Sequence, residues 1–292
     1  MPELPEVETV RRALDARITG RTVIGCTLRR RDVLAVPGDP PGGFSRSPAR
    51  TSPRRARRTH LLLGGRLTPP MRHGKQLALG SEDGRRLVVH LGMTGQLLHA
   101  SRGRRLPVTD HQHATIRLDD GSRLVFRDPR RFGGLWALGS AEALVERWGA
   151  LGPDALTLTE HQLADRLAGA HRPIKAVLLD QSKIAGIGNI YADESLFEAG
   201  IHPDRRAASL TGGDIAALAA AIRGTLKAAV AAGGSTIRDY TDPMSAAGEY
   251  QRAHRVYGRA GLPCRRCGAE LRRTLVAQRT TVYCVACQPE GP

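Results

Sequence analysis

The chain has 292 residues, of which 41% are hydrophobic, and this is enough for about two domains with their own cores. Lys and Arg total 44 against 28 Asp and Glu, so the formal net charge of +16 predicts a polyanionic partner such as nucleic acid. A genome that favours arginine codons is the competing explanation. No apolar run reaches the roughly 18–20 residues of a membrane span, and the N-terminus lacks a secretory signal, so the sequence predicts a cytoplasmic protein.

The first half of the chain predicts a short helix followed by β-strands. Val7, Val10 and Leu14 recur at helical spacing after Pro5, which suits the first position of a helix. Short β-branched or alternating runs follow: "RTVIGCTL", "KQLALG", "RRLVVHLGMTGQLLH", "HATIRLDDGSRLVFRD" and "GGLWALG". The Asp-Gly pair in "LDDGSRL" is a hairpin signal. This half is therefore predicted to form an antiparallel β-sandwich.

A basic insertion interrupts these strands at about residues 45–59. Its centre, "RSPARTSPRRARR", carries six arginines, spaced prolines and no apolar periodicity. Such a composition predicts a disordered basic loop.

The second half predicts helices. Thr159 with Gln162, and Thr211 with Asp214, have the spacing of capping boxes ahead of apolar-periodic segments. The stretch "GDIAALAAAIRGTLKAAVAAGG" predicts a long helix that ends at a Gly-Gly pair. The chain as a whole is thus predicted to be an α+β protein.

Four of the five cysteines lie near the C-terminus, where their spacing is typical of a structural metal site. The pattern is Cys264-x2-Cys267-x16-Cys284-x2-Cys287, and two CxxC turns on a hairpin can direct four thiolates at one tetrahedral zinc ion. Four protein ligands leave no open position, so this zinc is expected to fold the hairpin rather than to catalyse a reaction. Cys26 stands alone and is expected to be a small buried residue.

A second pattern predicts a phosphate-binding site at a helix start. In "IAGIGNIYADESLF", Gly186, Gly188 and Asn189 precede an apolar-periodic segment, so backbone N–H groups and the helix dipole converge there. Lys175 is a candidate cationic partner, and Arg279 near the hairpin tip is a candidate phosphate clamp. The alternative is that Asn189 is simply an N-cap and the glycines form a tight turn.

Six motifs together span nearly the whole chain and resemble the formamidopyrimidine-DNA glycosylase family. In chain order they are "PELPEVET", "HLGMTG", "DPRRFG", "GIGNIYADESLFEAGIHP", "VYGRAGLPC" and the cysteine pairs. The resemblance implies an N-terminal β-sandwich, a helix-two-turn-helix domain and a zinc hairpin, placed here at residues 1–140, 141–255 and 256–292. It also implies a bifunctional glycosylase and AP lyase that excises oxidised purines, works as a monomer on double-stranded DNA and associates with the nucleoid.

The same resemblance assigns catalytic roles at the N-terminus. Removal of Met1 would make Pro2 the terminal residue, and its amine would be the nucleophile, since a terminal α-amino group has a reference pKa near 7.7–8.0. Glu3 would act as the acid/base and Glu6 would help to place it, although both also suit the first turn of a helix. Lys75 of "MRHGKQLAL" is the best match to the family's phosphate-binding lysine, and a surface lysine on an edge strand is the alternative.

A base inside a duplex must be flipped out before chemistry, and side chains must fill the vacated stack. The resemblance assigns this task to Met93, Arg131 and Phe132, with Arg131 facing the orphaned base. A Met or a Phe on a strand is otherwise more typical of a core. The loop "TDPMSAAGEYQRAHR" lacks the family's usual lysine and Pro-Gly pattern, so a preference for 8-oxoguanine over ring-opened purines is not predicted.

Three other functions compete with this one. An endonuclease VIII-like enzyme would act on oxidised pyrimidines, and "ELPEVET" and "DPRRFG" argue against it. A catalytically inactive zinc-hairpin DNA-binding protein would not need Pro2 and Glu3, yet both are present. His111 and His113 would share a strand face as a metal pair, but such a pair is a weak metal signal on its own, and structural or DNA-proximal histidines are the alternative.

Overall fold

The computed structural model describes residues 2–37, 57–106, 109–236 and 240–290. The centre of the predicted basic loop therefore lies outside the described residues. The chain divides into two compact units, the first formed by Met1–Gly149 with Gly233–Gly248 and the second by Ala150–Ala232 with Glu249–Pro292. The three-domain division with its boundaries at 140 and 255 remains a prediction.

The first unit opens with helix α1 (Leu4–Ile18). The predicted helix is confirmed, but it begins one residue early, so Pro5 is its second residue and Glu3 is its N-cap. Proline is still tolerated there because the first N–H groups of a helix have no intrahelical acceptor. The apolar side chains of α1 at helical spacing are fully buried and belong to the main core.

Two sheets form the predicted β-sandwich. The strands of this unit are β1 (Val23–Leu28), β2 (Leu34–Ala35), β3 (Leu67–His73), β4 (Gln76–Ser81), β5 (Arg86–His90), β6 (Gln96–Ala100), β7 (Gln112–Leu118), β8 (Arg123–Arg127) and β9 (Gly134–Leu138). One sheet has the order β1-β7-β8-β6 and the other β2-β9-β5-β4-β3. All described pairings are antiparallel except that of β2 with β9. Side chains from both sheets and from α1 share one core.

The five-stranded sheet is covered on its other face as well. Helix α2 (Ala141–Gly149) places Leu144 against Ala78, Val88 and Trp136. This second layer explains why all six residues of β4 are buried instead of alternating.

The second unit contains helices α3 (Glu160–Leu167), α4 (Ile174–Leu179), α5 (Asn189–Ala199) and α6 (Gly212–Ala231), and a hairpin of β10 (Leu271–Val276) and β11 (Arg279–Cys284). Both predicted capping boxes are present, at Thr159 and at Thr211. The hairpin packs on α5, where Phe197 shares a core with Leu271 and Val282. Within the described residues, no helix is long and apolar enough to cross a membrane.

Candidate functional site

The N-terminal carboxylates are buried, although chain ends are usually exposed. Pro2 is buried, and Glu3 and Glu6 are each 1% exposed. Oε2 of Glu6 accepts a 2.7 Å hydrogen bond from the backbone N–H of Glu3, and Oε1 accepts one of 2.7 Å from the backbone N–H of Ser235. The Tyr240 hydroxyl also donates to the backbone oxygen of Glu6 at 3.2 Å. Glu6 therefore joins the first turn of α1 to the segment that follows α6 in the sequence.

The segment at Gly234 approaches α1 closely. A Cβ added to Gly234 would lie 2.8 Å from Oε1 of Glu6, and its φ of +84° also favours glycine. The Gly-Gly pair predicted to end the long helix therefore has a second role, because it lets the backbone reach the Glu6 carboxylate.

A buried ion cluster joins α1 to the turn that carries Lys75. Glu8 bonds to Arg11 and Arg12 on its own helix and to Nε of Arg72 at 3.0 Å, and Arg72 also donates to the backbone oxygen of Gly74 at 3.0 Å. Burial alone would raise the pKa of Glu8, but the hydrogen bonds from the three arginines lower it to about 2. The cluster fixes the position of this turn relative to the N-terminus.

Lys75 lies in the Gly74-Lys75 turn between β3 and β4, so its predicted placement on a strand is wrong. The reason is local, because Gly74 has a φ of +54° and closes a two-residue turn. The side chain is half-buried, and the backbone oxygen of Lys75 lies 3.4 Å from Nδ1 of His90. Burial lowers the pKa of His90 to about 4, so its imidazole is neutral at pH 7.

The three predicted stack-filling residues lie on two adjacent turns of the first unit. Met93 is half-buried in the turn between β5 and β6, whereas Arg131 is exposed and Phe132 is 40% exposed in the turn between β8 and β9. Phenylalanines that belong to a core are buried, so the exposure of Phe132 argues against its interpretation as a core residue. The Arg131 guanidinium forms a 3.2 Å ion pair with Asp32.

In the second unit, Lys175 is buried beneath the hairpin. Its side chain is 0% exposed, and Nζ lies 2.6 Å from Oδ1 of Asp193, 2.7 Å from Oγ1 of Thr281 and 3.1 Å from the backbone oxygen of Thr280. This burial contradicts the prediction of Lys175 as a direct phosphate partner. Its ammonium instead joins α4, α5 and β11. Burial raises the pKa of Asp193 to about 7, although the attraction of Lys175 opposes the rise.

Asn189 contacts the hairpin at the residue that follows Arg279. Asn189 is the first residue of α5 and Gly188 is its N-cap, so the interpretation of Asn189 as an N-cap is wrong. Nδ2 of Asn189 donates to the backbone oxygen of Thr280 at 2.9 Å. Arg279 precedes Thr280 and is exposed. The start of α5 therefore contacts the hairpin strand at the residue next to Arg279.

The four C-terminal cysteines converge as predicted. Their Sγ atoms all lie within 4.8 Å of one another, with 4.0 Å between Cys264 and Cys287 and 3.5 Å between Cys267 and Cys284. This spacing fits four thiolates at about 2.3 Å from one zinc ion.

The hypothesis of a metal site at His111 and His113 is not supported. Within the described part of the chain, the only cluster of His, Cys, Asp or Glu suited to a metal is that of the cysteines. Nε2 of His113 lies 2.8 Å from the backbone oxygen of Asp128, and His111 is paired with Asp110. Cys26 is buried, as expected, and burial raises its pKa to about 11.

Comparison with known proteins covers nearly the whole chain. Family models match residues 1–135 (formamidopyrimidine-DNA glycosylase N-terminal domain), 151–241 (formamidopyrimidine-DNA glycosylase H2TH domain) and 261–289 (a zinc finger found in FPG and IleRS). A formamidopyrimidine-DNA glycosylase from Chloroflexus aggregans is 42% identical over 290 residues, which cover 99% of this chain and 98% of the relative. The chain belongs to the formamidopyrimidine-DNA glycosylase family.

Solved structures of family members agree with this membership. The MutM (FPG) protein from Thermus thermophilus matches all of this chain over all of its own length, at 40% identity and a TM-score of 0.82. A mutant Lactococcus lactis Fpg, solved with DNA that contains Fapy-dG, matches 99% of this chain over its whole length at 33% identity and a TM-score of 0.83. The predicted enzyme class, a DNA glycosylase, the predicted fold and the structural zinc site are thereby confirmed.

Several residues that organise this glycosylase were not predicted from its sequence. Asp128 lies within the motif "DPRRFG" and is 0% exposed, whereas the motif predicted roles only for Arg131 and Phe132. Ser235 and Asp193 are also buried polar partners of predicted site residues. An acidic residue inside an otherwise basic, motif-rich segment was the available signal for Asp128.

Proposed function

We propose that this glycosylase excises oxidised purines, namely formamidopyrimidines and 8-oxoguanine, from double-stranded DNA and then cleaves the strand at the abasic site. The related Lactococcus enzyme solved with Fapy-dG DNA supports ring-opened purines as the first substrate class. The observation that carries the proposal is the burial of Pro2, Glu3 and Glu6 together at the start of α1.

Pro2 is the proposed nucleophile once Met1 has been removed. Its secondary amine attacks C1′ of the damaged nucleotide and loses its proton, the bond from C1′ to the base breaks, and the base leaves with that electron pair and a proton. The bond from C1′ to the ring oxygen O4′ then breaks as O4′ takes up a proton, which opens the sugar ring and leaves an iminium between C1′ and the Pro2 nitrogen. This iminium acidifies the C2′ proton, so loss of that proton expels the 3′ phosphate by β-elimination. A second, δ-elimination then expels the 5′ phosphate.

Glu3 is the proposed acid/base and Glu6 the positioning carboxylate. Both oxygens of Glu6 accept hydrogen bonds from backbone N–H groups, which suits a group that holds structure in place. Glu3, beside Pro2, is then the carboxyl group that protonates the sugar ring oxygen and moves protons during the eliminations.

The DNA contacts are proposed separately for each unit. In the first unit, Lys75 contacts a phosphate near the reacting sugar, while Met93, Arg131 and Phe132 fill the vacated stack. In the second unit, Asn189 and Arg279 bind phosphates at the start of α5 and at the hairpin tip. Lys175 has a supporting role here, because it holds the hairpin strand beside α5.

Incubation with a panel of defined duplexes tests this proposal. The panel carries a formamidopyrimidine, 8-oxoguanine, an oxidised pyrimidine or an abasic site, and the cleaved ends are resolved on sequencing gels. We expect release of the oxidised purines and strand ends that carry phosphate on both sides of the gap. Exclusive activity on the pyrimidine would favour the endonuclease VIII-like alternative, and binding without any cleavage would favour the inactive DNA-binding protein.

A further inference from the structure

Two turns of the first unit are packed into each other. One consists of residues 91–95 and carries Met93, and the other consists of residues 128–133 and carries Arg131 and Phe132. A Cβ added to Gly92 would lie 2.4 Å from both the backbone N of Gly133 and the backbone C of Phe132. Only glycine at position 92 allows the backbones of the two turns to approach this closely.

One buried carboxylate holds both turns. Oδ1 of Asp128 accepts a 2.5 Å hydrogen bond from the hydroxyl of Thr94, and Oδ2 accepts one of 2.7 Å from the backbone N–H of Gly133. Oγ1 of Thr94 in turn accepts a 3.3 Å bond from the backbone N–H of Arg130. Asp128 is 0% exposed and Thr94 is 5% exposed, so water does not compete for these groups.

The second turn also needs support for its own backbone. Arg131 has a φ of +54°, in the left-handed region that residues other than glycine rarely adopt. Its N–H donates to the backbone oxygen of Asp128 at 3.3 Å. Such a conformation persists only where surrounding contacts impose it, and Asp128 supplies them through both its main chain and its side chain.

We infer that Asp128 and Thr94 are a positioning pair that holds Met93, Arg131 and Phe132 as one rigid wedge for opening the DNA stack. The inference rests on the proposed function, in which these three side chains fill the space of the flipped base. With the turns fixed in advance, binding does not have to order them, and all three side chains enter the stack together. Neither Asp128 nor Thr94 has to contact DNA for this purpose.

Substitution of Thr94 is the sharpest test, since Thr94→Val keeps the shape of the side chain but removes the hydroxyl group that bridges the turns. Thr94→Ser retains the hydroxyl and is the rescue variant. Thr225→Val removes another buried threonine hydroxyl, on α6 in the second unit, and is the matched control. Circular dichroism establishes that each variant is folded.

The readout is base unstacking, followed without any bond breaking. A 2-aminopurine next to the lesion becomes brighter when its neighbour leaves the stack, and stopped-flow mixing gives the rate of this rise. We expect Thr94→Val to slow the rise by about 10-fold to 100-fold, the effect typical of a misplaced group, while Thr94→Ser and Thr225→Val remain near wild type. Affinity for undamaged DNA, which depends mainly on phosphate contacts, is expected to change by no more than about threefold.

Two results would overturn the inference. One is an unchanged rate of unstacking in folded Thr94→Val, and the other is an equal slowing in Thr225→Val. A failure of the proposed function has a different signature, because the wild-type protein would then unstack the lesion without releasing any base.

Discussion

At the scale of single residues, Glu3 and Glu6 have different environments although they are separated by one helical turn. Glu6 bonds to two backbone N–H groups and connects α1 with Ser235. Glu3 is the N-cap beside Pro2 and is equally buried. This difference is the physical basis for giving proton transfer to Glu3 and positioning to Glu6.

Glu3→Gln tests this division of roles. The amide has nearly the shape of the carboxyl group but cannot transfer the proton, so we expect base excision to fall by roughly 10²-fold or more while damaged DNA is still bound. Single-turnover excision and equilibrium binding measure the two effects. Glu146→Gln, on the exposed face of α2, is the control with the same chemical change. Excision by Glu3→Gln within tenfold of wild type would refute the role.

Residue roles were only partly predictable from sequence. Pro2, Glu3 and Phe132 could be proposed as site residues because they lie in motifs with a chemical interpretation. The burial of Lys175 could not be predicted, because its partners Asp193 and Thr281 are separated from it by 18 and 106 residues, respectively. In a sequence, a lysine near a helix start is a candidate phosphate ligand, and only the fold shows the carboxylate that pairs with it.

At the scale of secondary-structure elements, Glu8 connects α1 with strand β3 and with the Lys75 turn. The depressed pKa of Glu8 makes this connection dependent on pH. A group whose pKa is lower in the folded state stabilises the protein above its unfolded pKa, near 4.5, and this stabilisation is lost as the pH falls toward about 2.

Glu8→Gln is expected to remove this pH dependence. It should destabilise the protein by roughly 3 kcal/mol at pH 7, because three arginines lose their shared carboxylate. The difference in unfolding free energy between wild type and variant should shrink as the pH falls from about 4.5 to about 2. Denaturant unfolding at several pH values measures it, with Glu146→Gln as the control. A difference that does not change with pH would show that the pKa of Glu8 is not lowered in the folded state.

The zinc hairpin was the element best predicted from sequence, since CxxC spacing limits the geometry of the thiolates directly. The turn at its tip was not predicted. Ala277 and Gln278 both have positive φ, although hairpin turns of this kind usually contain Asn or Gly. The position of Lys75 was missed for a similar reason, because a turn of two residues leaves little trace in a hydrophobic pattern.

Loss of the metal should weaken DNA binding without affecting bond making. Cys267→Ser removes one of four ligands, so we expect less than one zinc per chain, a disordered hairpin and reduced DNA affinity, with single-turnover excision little changed at saturating enzyme. Cys26 is a buried cysteine outside the cluster, so the Cys26→Ala variant should retain one zinc per chain. Full DNA affinity in a zinc-free Cys267→Ser protein would contradict this account of the hairpin.

At the scale of the whole molecule, the charge of +16 is the property most relevant to a polyanionic partner. Part of that charge lies in the insertion at residues 46–58, most of which falls outside the described residues. Its sequence has no apolar periodicity, which is typical of a segment outside a core.

Replacing the four arginines at 46, 50, 54 and 55 with serine tests whether the insertion binds DNA. Each phosphate contact that is lost should reduce the slope of log affinity against log salt concentration by roughly 0.9. Lesion preference should hardly change. Binding across a salt series, on undamaged and lesion-bearing duplexes, measures both. An unchanged slope would show that the insertion does not contact DNA, and an altered lesion preference would show that it reaches the active site.

Borohydride trapping shows whether the N-terminal amine of Pro2 is the nucleophile. Reduction of the iminium joins the enzyme covalently to DNA that carries an abasic site, and peptide mass spectrometry then identifies the attached residue. We predict that the protein beginning at Pro2 is trapped through that residue, and that protein retaining Met1 or an N-terminal tag is not trapped. Attachment at Lys75 or another lysine, or equal trapping of the Met1 form, would contradict the claim.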